Sequence, residues 1–142
     1  MRFALQLLFG LGLLLCASLA SGQSNLGTLL DAGATQLSTE DFRRELMGRH
    51  ISGLAVNGQN IQVVYAESGE IRGVGRNRVG TSFEILGTYT MDGSARICAT
   101  MQLGSVSLAP RCQYWYRLDR KYFLSDSDSD RSARVLERTA AQ

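Results

Sequence analysis

A chain of 142 residues with 15 Lys and Arg against 13 Asp and Glu, net +2, lacks the basic surplus that nucleic acid demands. Its length suits one domain of roughly 120 residues beside a short leader, and a domain of that size buries a core without metals or a dense disulfide framework.

In chain order, residues 1–22 read as a cleavable secretory signal peptide. Met1-Arg2-Phe3 supplies one positive charge, and Phe3 to Ala20 contains no Asp, Glu, Lys or Arg. Small residues Ser18, Ala20 and Gly22 then permit cleavage after Ala20 or Gly22. A retained anchor is the poorer reading, because Gly10 and Gly12 interrupt a run that only just reaches spanning length. Cys16 follows Leu13-Leu14-Leu15 rather than the small residue of a lipoprotein signal, so it is expected to leave with the leader. The expected compartment is periplasmic or extracellular, with no membrane span after cleavage.

Residues 23–36, small and polar with scattered leucines, read as a flexible leader. Leu37-Ser38-Thr39-Glu40-Asp41-Phe42 then predicts a helix over 38–47, with Ser38 capping, Asp41 answering three residues on and Leu37 stapling onto Phe42. Phe42 and Leu46 share its face, and Gly48 stops it.

Beyond Gly48 the polarity alternates. Turn signals at Asn57-Gly58, Ser68-Gly69 and Asp92-Gly93 separate strands expected at 51–56, 61–66, 70–75, 82–91, 95–103, 111–118, 122–125 and 131–139. The predicted fold for residues 37–142 is therefore one mainly β domain. Its strands form an antiparallel up-and-down meander that closes into a small barrel, since closure removes exposed edges. The short N-terminal helix plugs or flanks one end.

Alternation also assigns faces. Phe83, Ile85, Tyr89 and Met91 point inward, as do Ile97, Ala99, Met101 and Leu103. Cys98 and Cys112, the cysteines left after leader removal, then pair on the outer face as a structural disulfide. Closing a loop of about 15 residues contributes about 3 kcal/mol in the chain-entropy account, and no Cys-x-x-Cys spacing argues for redox work. With Cys112 outside, Tyr114 and Tyr116 lie outside too, and Gln113, Trp115 and Arg117 turn inward.

Gly87-Thr88-Tyr89, Asp92-Gly93, Ile97-Cys98 and Cys112-Gln113-Tyr114-Trp115 resemble uncharacterised bacterial secreted and envelope domains, over the stretch 37–125. The outline resembles small lipocalin-like or avidin-like barrels. That resemblance implies an extracytoplasmic barrel and a ligand cavity.

Chemistry-bearing patterns are few. Asp126, Asp128, Asp130 and Glu137 stand at positions 1, 3, 5 and 12 of a calcium loop, although Arg131 replaces the turn glycine and no exiting helix has room to follow. The competing reading is a solvated acidic turn neutralised by Arg131, Arg134 or Arg138. His50, the lone histidine, sits just past the helix, where a surface role is commoner than a catalytic one. Gly73-Val74-Gly75 lacks the third glycine of a nucleotide loop, and Glu67 with Glu70 reads as a hairpin turn. Gln113, Trp115 and Arg117 are the better binding candidates, because an aromatic face beside a guanidinium suits planar or anionic ligands and an interior Arg needs a partner.

The expectation is a non-enzymatic barrel that binds a small ligand or engages an envelope protein, without nucleic acid and without a required cofactor. The alternative is a calcium-stabilised secreted structural or inhibitor protein using 126–137.

Overall fold

The computed structural model describes residues 22–142. The signal-peptide reading of residues 1–22, Cys16 included, lies outside the described residues apart from Gly22. Among the described residues no helix is long and apolar enough to cross a membrane.

Eight strands form an antiparallel closed barrel: β2 (Ile51–Leu54), β3 (Asn60–Tyr65), β4 (Glu70–Arg76), β5 (Ser82–Met91), β6 (Ile97–Leu103), β8 (Arg111–Leu118), β9 (Lys121–Ser125) and β10 (Val135–Ala140). Each pairs with its neighbour in sequence, β10 returns to β2, and β8 meets β6. Two short strands, β1 (Thr35–Gln36) and β7 (Val106–Ser107), extend the edges of β8 and β6. The β6–β8 ladder is short, pairing Ile97 with Gln113, Cys98 with Cys112 and Ala99 with Arg111. The disulfide joins the two cysteines at the middle of that ladder, on the outer face as the alternation required.

Period-two alternation fills the interior. Ile51, Val63, Tyr65, Ile71, Ile85, Tyr89, Ile97, Trp115 and Leu124 form one buried cluster. Glycine admits the larger of its side chains: an added Cβ at Gly75 would fall 2.1 Å from the Phe83 ring, its cross-strand partner. The Gly73-Val74-Gly75 segment is thus β4 strand, as its sequence indicated.

Helix α2 (Thr39–Glu45) closes one end. Its capping box forms as predicted, with the Ser38 hydroxyl accepting from the Asp41 N–H and the Asp41 carboxylate accepting from the Ser38 N–H, each at 3.1 Å. The Ser38 N–H, followed by Arg44, holds the Asp41 carboxyl down to about 2. Leu37, Phe42 and Leu46 drop into the barrel cluster, and Gly48, at φ 76°, turns the chain while its N–H donates to Tyr65 O. A polar clasp joins helix to wall, with Glu45 accepting from Arg44, Arg117 and the Tyr122 hydroxyl. Burial alone would raise the Glu45 carboxyl, but those hydrogen bonds outweigh it and hold it below the ordinary value.

One expectation needs correction. Residues 23–36 are not a flexible leader: they contain α1 (Leu26–Asp31), whose Leu26 and Leu29 are wholly buried against Tyr116, Phe123 and Val135 on the outer face of β8, β9 and β10. Asn25 caps α1 by accepting from the Thr28 N–H at 2.9 Å. The segment before β10 completes the cap, as Arg131 O and Ala133 O accept from Gly27 and Leu26 at 2.8 Å. The Asp92-Gly93 turn joins β5 to β6 as expected; its left-handed residue is Ala95 at φ 55°, and Asp92 Oδ1 accepts from the N–H groups of Ser94 and Arg96.

Candidate functional site

The plugged end has an aromatic floor. Phe42 meets Tyr65 and Trp115 edge-on, with ring centroids 5.5 and 5.4 Å apart, and Tyr65 meets Tyr89 at 5.2 Å. Beyond Tyr65 and Trp115 the barrel holds a cavity of about 500 Å³, walled by Ile61, Ile97, Ala99, Met101, Leu124 and Leu136. Its far rim is Ala55–Asn57 from the β2–β3 turn and Leu108–Arg111 from the approach to β8. The core is therefore filled at the helix end and open beyond it, in a size range that takes small organic ligands.

Gln113 and Trp115 line this cavity, as their inward phase predicted. The Gln113 amide donates to Asp126 Oδ1 at 3.0 Å, and Trp115 is fully buried with its indole N–H unpartnered among the described residues. Arg117 lies elsewhere. It belongs to the clasp with Glu45, at the helix end, where the inward phase of β8 runs out of cavity.

The interior arginine is Arg138. It is 6 % exposed, lines the cavity beside Leu136, and enters where Gly53 faces it across β2 and β10; a Cβ at Gly53 would lie 2.6 Å from its Nη1. Nη1 donates to Leu54 O at 2.9 Å and Glu137 O at 2.8 Å. Among the described residues no carboxylate lies within ion-pairing distance, whereas Arg111, the other arginine on the cavity lining, pairs with Asp126. Burial pulls the Arg138 pKa down, opposed by nearby Tyr65. The Tyr65 hydroxyl is itself pushed up to about 12 by burial, so it remains a neutral neighbour. Arg138 therefore does not neutralise the acidic turn. The signal was present in the sequence: Arg138 falls on the inward phase between Leu136 and Ala140.

The four calcium-loop residues do not converge. Asp126 is engaged by Arg111, Asp130 accepts from Ser132, and Glu137, out on β10, pairs with Lys121 at 2.8 Å. Arg131 reaches Asp31 of α1 rather than the acidic turn. No group of three or more potential metal-ligating side chains occurs among the described residues. His50 is exposed immediately before β2, and its carbonyl accepts from the Ala141 N–H.

Comparison with known proteins finds no family model, curated protein or solved structure that matches this chain.

Proposed function

We propose that this protein is an extracytoplasmic small-ligand binder that encloses an apolar molecule in its barrel. The observation that carries the reading is the apolar cavity of about 500 Å³ between the aromatic floor and the rim at 55–57 and 108–111. A barrel that served only as a scaffold would fill that space, since each methyl-sized void costs about 1 kcal/mol. The secretory opening of the sequence and the Cys98–Cys112 pair support export to an oxidising compartment.

Trp115 is the single tryptophan and borders the cavity, so its fluorescence reports occupancy directly. The neutral dye N-phenyl-1-naphthylamine should bind saturably and quench Trp115, and Ala99→Phe, which drives a ring into the cavity from its wall, should weaken both effects while the circular dichroism spectrum is kept. Dye uptake unaffected by Ala99→Phe, or no uptake, rejects the proposal.

A second reading, docking onto an envelope protein, draws support from the apolar residues around the open end, where Val79 is 86 % exposed and Val106 58 %. Val79→Asp with Val106→Asp should then abolish capture of that partner without altering dye uptake.

A further inference from the structure

A cavity lined by one unpaired guanidinium sets a condition on its contents. Resting on the ligand-binding reading above, we infer that the natural ligand carries a carboxylate on an apolar body, and that Arg138 receives the carboxylate. A charge removed from water is normally paired or shifted to neutrality, and arginine does not deprotonate in proteins. Arg138 is 94 % buried, yet the fold gives it two backbone carbonyls and no anion among the described residues.

The arrangement of its donors points the same way. Leu54 O and Glu137 O together engage Nη1. Nε–H and the adjacent Nη2–H have no protein partner among the described residues, and these two parallel donors form the edge that takes a carboxylate bidentately. Gly53 leaves space for the guanidinium at the wall, since a Cβ there would lie within 2.9 Å of the Arg138 Cδ as well as against Nη1. The carbonyl contacts fix the fork in orientation before any ligand arrives, which reduces the ordering cost of binding. Most of the remaining lining is apolar: Gln113 and Arg111 both turn to Asp126, and the Trp115 indole N–H, unpartnered among the described residues, is a donor that a carboxylate head could also use. A ligand with one anionic head and an apolar remainder fits that distribution.

The test is competition for the cavity at neutral pH, using N-phenyl-1-naphthylamine as the reporter and decanoate and 1-decanol as competitors of equal chain length. In the wild-type protein decanoate should displace the dye at a concentration at least about tenfold below that of decanol, a difference of about 1.4 kcal/mol. Arg138→Met should bring the ratio close to one. Arg138→Lys, which keeps the charge and loses the fork, should fall between them and covers the case in which the methionine variant fails to fold. Added salt should leave most of the wild-type preference intact, because a buried pair is weakly screened. Equal displacement by acid and alcohol in a wild-type protein that takes up the dye overturns the carboxylate assignment and leaves the cavity reading standing; so does a preference that survives Arg138→Met. A protein that takes up no dye and neither competitor brings down both.

Discussion

Replacing Arg138 by methionine separates a binding arginine from a structural one through stability alone. Arg138 is 94 % buried with no carboxylate partner among the described residues, and desolvating such an ion costs several kcal/mol even after the surroundings relax. Its two hydrogen bonds, at 2.9 and 2.8 Å to Leu54 O and Glu137 O, each return about 1.5–3 kcal/mol because the donor is charged. The two terms nearly cancel. Methionine keeps most of the apolar stem against Leu136, and Leu54 is 53 % exposed, so water can reach its carbonyl once the guanidinium is gone. Urea unfolding of the ligand-free protein should therefore show Arg138→Met within about 1 kcal/mol of wild type, at unchanged m-value. Decanoate should then raise the melting temperature of the wild type and not of the variant. A loss of about 3–5 kcal/mol, the cost of breaking a buried ion pair, would show that the fold itself neutralises Arg138 and would refute the reasoning.

Removing the disulfide with Cys98→Ala and Cys112→Ala should cost about 3 kcal/mol in urea, and hydrogen exchange should rise first at 97–99 and 111–113, since that ladder has three residue pairs against seven between β5 and β6; uniform acceleration would argue against a local clamp. Gly75→Ala should lose about 1–3 kcal/mol by driving a methyl into the Phe83 ring, and less in a Phe83→Ala background; additive losses would mean that the ring is not the obstacle. Asp41 and Glu45 both titrate below their unfolded values in the folded protein, so their stabilisation is complete above the unfolded range near about 4 and drains as pH falls through the folded values, about 2 for Asp41. Glu45→Gln should flatten the acid limb of the stability curve, and an unchanged limb would exclude the clasp as its source. Millimolar calcium should leave the melting temperature where it was, since Asp126 and Glu137 are already held by Arg111 and Lys121; an upward shift would restore the 126–137 loop as a metal site.

The strands were legible because each carries its own period. Phe83, Ile85, Tyr89 and Met91 mark one face without reference to anything distant, and turn residues separate one run from the next. The inward phase of Gln113 and Trp115 followed from the same alternation. Arg117 shares that phase but stands beyond the cavity, because phase specifies a face and says nothing of depth along the barrel. Helix α1 carries little signal of its own, because its apolar residues, Leu26, Leu29 and Leu30, span little more than one turn, and its cap depends on carbonyls more than a hundred residues away. Arg138 lies on an inward phase, but beside Asp126, Asp128 and Asp130 in sequence it reads as a partner of the acidic turn until Gly53, the matching glycine across the strand, is known.

Among the described residues the α2 plug closes one end of the barrel, and the cavity opens past the 55–57 and 108–111 segments. Under the proposed ligand-binding role, the residence time of a guest would be set by those two stretches of chain. Substitutions there should alter how fast the cavity loads and empties by the same factor in both directions, leaving the equilibrium to the walls.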